Sequence, residues 1–450
     1  MQATRPLKVP RPLARPELNL VASIEPTLDF GYPFLALFCL LFQLQFGAPL
    51  LLLFILVTIA YAALRPQRLL ATLKTSAFIF AIPGIAMTST LWSIDPAATV
   101  RASVQLGITF LAATAIASAR NSSVAILGLA AATGLHTLVS MSLGHSVMSA
   151  GEAAFSGLNG GKNAMAQSAG VAALSAAAAV VIAWLRRDAR LLVAALVGVL
   201  VALYVVFIAK SAGTLVSITL ALGAFLTLSA FSGFTRTQRL VATVMLLLVA
   251  LPILVNLSSI AEYMTDIAFK YFKKDATLSG RVYLWYRAEV LINESPLLGR
   301  GYYGFWRQGN IDAEGLWLYF GIVNRSGFNF HNAFFENVVN LGYLGFSVIA
   351  ASVAAGLAAL ALCMVRRPSV AVGFWTAYSL YELSRVSIEA LGPLPFSPPT
   401  LLLASAFSVA AVRLAELSTK GAEQVGPPRR ARAQRVARQP RPLHAGARNS

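Results

Sequence analysis

The sequence predicts an all-α, polytopic bundle of transmembrane helices, and three observations carry that prediction. Of 450 residues, 57% are hydrophobic and only 12% charged, about half the charged share of an ordinary soluble domain. Apolar runs of ~18 residues or more recur along the chain, each long enough to cross ~30 Å of hydrocarbon. The runs are continuous, unlike the ~10-residue alternating strands of a membrane β-barrel, and only a helix satisfies every backbone group within such a run. A soluble enzyme and a disordered chain are both excluded.

Residues 1–33 are Pro-rich and polar, with Arg5, Lys8, Arg11 and Arg15 ahead of the first apolar run. They read as a cytoplasmic tail and not as a cleavable signal peptide. Spans are expected near 34–47, 48–64, 76–91, 102–119, 123–143, 164–185, 191–208, 213–231, 240–258, 334–363, 370–390 and 399–415. The first two are the least distinct, because 34–64 also fits one long tilted span with an interfacial piece. Nine spans (34–258) thus precede a long loop at 259–333, and three (334–415) follow it. The tail 416–450 is Pro, Ala and Arg with little that is apolar, a composition that stays disordered.

The charges test this layout. With both termini cytoplasmic, two thirds of the 36 basic residues fall in the tails and in the inner loops at Arg65, Arg68, Lys74, Arg120, Arg186, Arg187, Arg190, Arg236, Arg239, Arg366 and Arg367. The short outer loops hold only Arg101, Lys162, Lys210 and Arg385, as the positive-inside rule requires. The net charge of +18 is therefore mostly a topology signal, and nucleic acid is not an expected partner. Cys39 and Cys363 both lie inside apolar spans, and the four histidines form no metal-ligand spacing, so no disulfide, metal or cofactor is expected.

The loop 259–333 is longer than most helix connections, which marks it as functional or disordered. It is rich in Tyr, Trp and Phe and sets eight basic residues against seven acidic ones, a composition that can fold against a membrane surface. Its first constellation is LSGRVYLWYRAEVLINESPLLGRGYYGFW, residues 278–306. Ser279 is the expected N-cap of a helix from about Gly280 to Glu294. Arg281 then stands in the first turn, where free N–H groups and the helix dipole favour an anion, and a guanidinium can clamp a diphosphate in bidentate fashion. An interfacial helix with Arg281 and Arg287 paired to Glu289 or to lipid phosphates is the plainer account.

The second constellation is NRSGFNFHNAFFENVVNLGYLGF, residues 324–346. His331 and Asn332 fall where the loop re-enters the membrane, and Asn332 and Glu336, four apart, share a helix face. A histidine there can draw a proton from a hydroxyl at neutral pH. An interfacial histidine with an ordinary hydrogen bond is the plainer account. On the outer face, LWSIDPAATVR offers Asp95 and Arg101, GLNGGKNAMAQ offers Lys162 and Asn163, and AKSAGT offers Lys210. Snorkelling explains each cation singly, and an anionic ligand would explain them together. Glu382, Arg385 and Glu389, at i, i+3 and i+7 of the eleventh span, read either as an internal ion-pair ladder or as the lining of a path.

The order SGR, LW, PLLGRG, then FHNAFFE and LGYLG, in a long outer loop late in a multi-span chain, resembles the O-antigen ligase and Wzy-type polysaccharide polymerase superfamily, on its exopolysaccharide polymerase branch. LWSIDP and GLNGGKN resemble that family's upstream signatures, so the resemblance runs over roughly residues 85–350. It implies a metal-independent, inverting glycosyltransferase of the bacterial inner membrane. Its substrate would be an undecaprenyl-diphosphate-linked oligosaccharide, handled at the periplasmic face.

The resemblance also assigns roles. Arg281 would engage the diphosphate and His331 would activate the acceptor hydroxyl. Lys210, Arg101, Arg287, Arg325, Asn332, Lys162, Asn163, Glu336 and Trp285 make up the expected substrate-binding set, with Tyr283, Tyr302, Tyr303, Trp306 and Trp317 joining Trp285 in stacking on sugars. Ala212 departs from the family, many members of which carry arginine there; Lys210 is the expected substitute. Membrane lipids, chain-length regulators and export proteins are the further partners expected. The rival readings are a ligase that transfers glycan to a lipid A core or a protein, and a transporter of the same lipid-linked glycan.

Overall fold

The computed structural model describes residues 16–149, 152–230, 280–325, 327–390 and 392–425, with a few positions between 233 and 245. The expected ninth span, the first part of the outer loop (259–279), residues 1–15 and the tail beyond 425 lie outside the described residues.

Helix α1 (Pro16–Leu41) begins inside the segment expected to be a tail. Its polar first half continues the same helix and is anchored at Asp29. That carboxylate takes the Arg65 guanidinium at 2.5 Å and the backbone N–H groups of Arg120 and Asn121. A short α2 (Gln43–Phe46) and the left-handed Gly47 reverse the chain into α3 (Ala48–Leu64). Asp29 and Arg65 therefore meet at one end of an antiparallel hairpin, and 34–64 is two helices, not one tilted span. Helix α4 (Pro66–Thr75) turns away from α3 by 102°. A short apolar stretch, Ala77–Leu91, climbs to the opposite end through α5 (Ala81–Thr88).

Three long helices follow: α6 (Pro96–Ala117), α7 (Ser122–Leu143) and, after a turn, α8 (Lys162–Arg186). Between α7 and α8 lies an antiparallel hairpin that the sequence reading did not anticipate, β1 (His145–Ser149) on β2 (Glu152–Gly157). Helix α8 is built largely of alanine and is among the most buried, because small side chains let neighbouring backbones approach. It packs on α7 and on α9 (Ala189–Ile208), and α7 packs on α1. By contrast, α9 exposes Val193, Leu196, Leu200, Tyr204 and Phe207. A surface stripe of that size is costly in water and natural in lipid.

Helix α10 (Ala212–Ala230) packs on α14 (Val370–Leu383), and α13 (Ala333–Arg366) on α15 (Pro398–Val425), which also lines α6. Between α10 and α13 the described part of the outer loop folds as α11 (Arg281–Glu294) and α12 (Ile311–Tyr319) around Leu284, Leu291, Phe305, Trp317 and Phe330, a core of its own. Seven described helices are long and apolar enough to cross a membrane, eight if the bent α3–α4 pair is one span. The protein is a multi-pass membrane protein.

Two expected boundaries move. The eleventh span was placed at 370–390, but α14 ends at Leu383. Residues 384–389 turn out of the helix because Val386 and Ser387 offer their carbonyls to α13: the Ala333 N–H donates to Val386 at 2.8 Å and the Asn332 amide to Ser387 at 3.3 Å. At the chain's end α15 continues to Val425, past the expected limit at 415.

Candidate functional site

Three of the sequence motifs interlock, and glycine is what permits it. Inside α13, Gly342 sits at φ 65, ψ −177 and kinks the helix. The segment Pro296–Gly299 crosses this kink. Tyr343 N–H donates to the Pro296 carbonyl at 2.8 Å, Leu344 to Leu297 at 3.1 Å, and Arg300 back to Val339 at 2.8 Å. A Cβ on Gly299, itself at φ 68, would stand 2.5 Å from the Gly342 nitrogen. The neighbouring Gly301, at φ 91, lies against Ser93. LWSIDP closes the knot: the Trp92 indole donates to the Leu298 carbonyl at 2.7 Å and Ile94 N–H to Arg300 at 3.0 Å. PLLGRG, LGYLG and LWSIDP thus form the frame that fixes the outer loop on the bundle.

His331 is held on this frame in the left-handed region, at φ 50, a conformation that costs a non-glycine residue roughly 1–2 kcal/mol. Its neighbours enforce it. The Trp285 indole donates to the Phe330 carbonyl at 2.9 Å, and Phe330 N–H donates to Glu336 at 2.9 Å. His331 N–H donates to Asn329 Oδ1 at 2.8 Å, while the Asn332 side chain caps α13 through Phe334 and Phe335 N–H. The turn aims the His331 imidazole at Glu389, with Nδ1 3.9 Å from Oε2, and leaves Nδ1 without a hydrogen-bond partner among the described residues.

Glu389 is the hub that the sequence reading misplaced. Because α14 stops at Leu383, the i, i+3, i+7 ladder does not form. Glu382 and Arg385 pair with each other at 2.6 Å, buried, while Glu389 leaves them for the outer cluster. There it accepts from the Asn163 amide at 3.2 Å, faces His331, and acts electrostatically on Arg281. Asn163 is itself held by Ser211, whose hydroxyl donates to Asn163 Oδ1 at 3.1 Å. One turn further along α8, Gln167 donates to Glu382 at 3.4 Å. Tyr381 packs over Gly170 and donates to the Gln167 carbonyl, which locks α8 to α14. Lys162 and Lys210, the latter left-handed at φ 52, adjoin Asn163 and Ser211 in sequence and so stand beside this network.

Arg281 opens α11 as expected, but the cap is Gly280 at φ 84, not Ser279, which lies outside the described residues. Gly280 is required there, since a Cβ would meet the Phe320 ring at 2.9 Å. Burial pulls the Arg281 pKa down and Glu389 opposes the shift. The guanidinium still stays charged at neutral pH. Among the described residues no side chain caps the first turn of α11.

Other expected residues have structural duties. Arg287 pairs with Asp312 at 3.0 Å rather than with Glu289, and ties α11 to α12. Arg325 faces Glu314 at 3.5 Å. Trp285 serves as the pin under His331 and packs on Phe335. Trp317 and Tyr302 are buried, so neither can stack on a sugar. Glu336 accepts from Phe330 N–H, the Trp306 indole and the Asn340 amide. Arg101 is exposed on α6, and its charge helps Asp95 stay ionised. Asp95 caps α6 through Ala98 N–H and pairs with Arg307 at 3.1 Å. That hydrogen bond foremost, with the two cations, holds its carboxyl below the usual range.

Three cavities adjoin one another here, the first sharing Asn329 and Ala390 with the second and Gly392 with the third. One of about 270 Å³ reaches Glu389, Asn159, Gln167 and Asn329. A second, of about 620 Å³, lies under the loop beside Tyr303, Trp306, Phe328 and Glu336. The third is an apolar groove of about 510 Å³, with Asn332 and Ser387 at one end and Phe346, Val353, Leu357 and Phe407 along its length.

Fold and site together define a multi-pass membrane protein that gathers a histidine, a carboxylate and an arginine at one end of its bundle, beside an apolar groove. Comparison with known proteins narrows this class. Residues 200–350, a third of the chain, match the family described as Wzy_C, O-antigen ligase. The chain is also 37% identical over 131 residues to the exopolysaccharide production protein ExoQ of Rhizobium meliloti (strain 1021). That match covers 28% of this chain and 30% of the relative. The similarity to the O-antigen ligase and Wzy-type superfamily, on its exopolysaccharide branch, rests on both findings. Asn163 and Glu389 lie outside the matched segment 200–350.

Proposed function

We propose that the protein is a glycosyltransferase of the bacterial inner membrane that polymerises undecaprenyl-diphosphate-linked oligosaccharide repeats at the periplasmic face. The observation that carries this reading is the Glu389-centred cluster. It brings His331 and Asn163 against Glu389, within electrostatic reach of Arg281, and the neighbouring Asn332 lines an apolar groove suited to a polyprenyl chain. Wzy_C similarity and the exopolysaccharide relative support a polymerase or ligase.

The prenyl chain lies along the stripe Phe346, Val353 and Leu357 of α13, which faces the groove. At the groove's outer end the diphosphate meets Arg281 and the first turn of α11, with Lys210 near Ser211 as a further cation. His331 takes the proton of an acceptor sugar hydroxyl. The oxygen attacks the anomeric carbon of the donor, the bond to the diphosphate breaks with its electron pair, and the lipid diphosphate leaves. A single displacement of this kind inverts the anomeric centre. As His331 becomes an imidazolium, Glu389 stabilises it, and Arg281 stabilises the charge growing on the leaving group. Both interactions strengthen towards the transition state, which is what accelerates a reaction. Glu389 is a positioning residue that acts through His331.

The test is direct. Arg281→Ala and His331→Ala should each abolish polymer formation in cells lacking the chromosomal copy; wild-type polymer length and yield in both variants would overturn the mechanism. A ligase would use the same chemistry on a lipid A core or protein acceptor, and its loss would leave long unattached polymer instead of single repeat units. The transporter reading rested on Glu382, Arg385 and Glu389 as one charged lining; Glu382 and Arg385 are instead paired with each other at 2.6 Å, and Glu389 turns to His331 and Asn163.

A further inference from the structure

We infer that the cavity under the outer loop is the acceptor-saccharide subsite, and that Tyr303, Trp306, Phe328 and Asn340 recognise the sugar whose hydroxyl reacts. The inference rests on the glycosyltransferase reading and adds to it the place and chemistry of the second substrate.

Four observations point there. First, the cavity's volume of about 620 Å³ falls in the range of small-molecule sites, ~300–1,000 Å³. Second, its charges are mutually matched. Arg307 is paired with Asp95 at 3.1 Å and Arg325 faces Glu314 at 3.5 Å, while Glu336 accepts three hydrogen bonds. Such a site has little net demand for an ion and suits a largely neutral, hydroxyl-rich ligand, unlike the anion-seeking end of α11.

Third, the wall is aromatic and fixed in place. The Trp306 indole is pinned to Glu336 and crosses Phe328 edge-on, with centroids 5.3 Å apart. Tyr303, 40% exposed, is held at φ 59, an uncommon conformation for a bulky residue. Aromatic rings pack on the C–H faces of sugars while neighbouring polar groups take the hydroxyls. Fourth, Asn340 lines the cavity and is only 7% exposed, yet among the described residues its Oδ1 has no donor, because its amide is turned to Glu336. A buried acceptor left open is costly unless a ligand completes it; a sugar hydroxyl does so.

The connection to the reacting centre is Asn329. It lines this cavity and the smaller one at Glu389, and its side chain accepts from the His331 backbone. A sugar seated against Trp306 and Phe328 therefore presents a hydroxyl past Asn329 towards His331. The diphosphate approaches from the other side, at Arg281.

The full chain in lipid nanodiscs tests this. The probe is lipid-free oligosaccharides of one to three repeat units, cut from the host's own exopolysaccharide and followed by saturation-transfer NMR. Wild type and His331→Ala should bind them alike. Tyr303→Ala and Phe328→Ala should each weaken binding by roughly five- to ten-fold, whereas Phe328→Trp, which keeps an aromatic face, retains it. Failure of the wild type to bind, or equal binding by all variants, overturns the assignment. Loss of binding only in His331→Ala and Arg281→Ala overturns it too, since the sugar would then sit at the anion end. Oligosaccharide binding that follows this pattern in a protein without turnover of lipid-linked substrate would instead refute the glycosyltransferase reading and leave the subsite standing.

Discussion

Replacing Glu389 by Gln removes one charge and keeps the side chain's shape and its acceptor for Asn163. In the wild type the Glu389 carboxylate stands 3.9 Å from His331 Nδ1. Two unit charges at that distance attract by about 4 kcal/mol in an effective dielectric of about 20. The two side chains are 31% and 25% exposed, so solvent and salt reduce the interaction towards about 1–2 kcal/mol. Because the attraction exists only once His331 has taken the proton, its loss falls on the chemical step: kcat should drop about five- to thirty-fold, with KM for the lipid-linked donor changed far less. Glu389→Asp should recover part of the rate. The assay is turnover of lipid-linked repeats by purified protein, run also on His331→Ala and on the double variant. If Glu389 works through His331, the double variant is no slower than His331→Ala alone. Multiplying losses, or an unchanged kcat in Glu389→Gln, would refute the reasoning.

Gly342→Ala forces a side chain into a left-handed, glycine-type conformation against the Leu297 carbonyl. It should cost about 2 kcal/mol or more, read as a thermal transition several degrees lower, with Gly134→Ala, in ordinary helix with open space around it, as the comparison. Trp285→Phe removes one hydrogen bond beneath the His331 turn, worth about 1 kcal/mol. Turnover should fall severalfold while oligosaccharide binding persists. Asp95→Ala removes the α6 cap for about 1 kcal/mol and frees Arg307. Because the folded carboxyl titrates below its ordinary value of 3.8, Asp95 contributes fully above that value, and the contribution is lost as pH falls through the depressed one. The stability gap between wild type and Asp95→Ala should therefore close in acid; a gap independent of pH would contradict the assignment.

The membrane class was legible from composition and from the length of the apolar runs, because hydrocarbon imposes both. Seven of the twelve expected spans coincide with described helices long and apolar enough to cross a membrane. The end of α14 was not legible in this way. Its apolar pattern continues past Leu383, and the stop is set by α13 capturing the Val386 and Ser387 carbonyls, a tertiary event without a local signal. Glu389 was visible as a charge at membrane depth but was assigned to the wrong neighbours on helical spacing alone. The glycines of PLLGRG and LGYLG were legible as motifs, yet their reason, two backbones crossing at Gly299 and Gly342, appears only in three dimensions. The β1–β2 hairpin had a faint signal, Ala150-Gly151 between two short runs. Arg281, His331 and Asn163 were expected because residue type and position argued for them, and His331 and Asn163 do face one carboxylate, Glu389. The aromatic residues could be sorted only by burial, which separates Trp317 and Tyr302 from Tyr303 and Trp306.

The central claim is that this chain alone joins lipid-linked saccharides. Purified protein reconstituted in liposomes with an undecaprenyl-diphosphate-linked repeat unit, and no other protein, should yield a ladder of lengthened glycans on the lipid, absent with His331→Ala. Unlengthened repeat units after prolonged incubation with folded wild-type protein would contradict it.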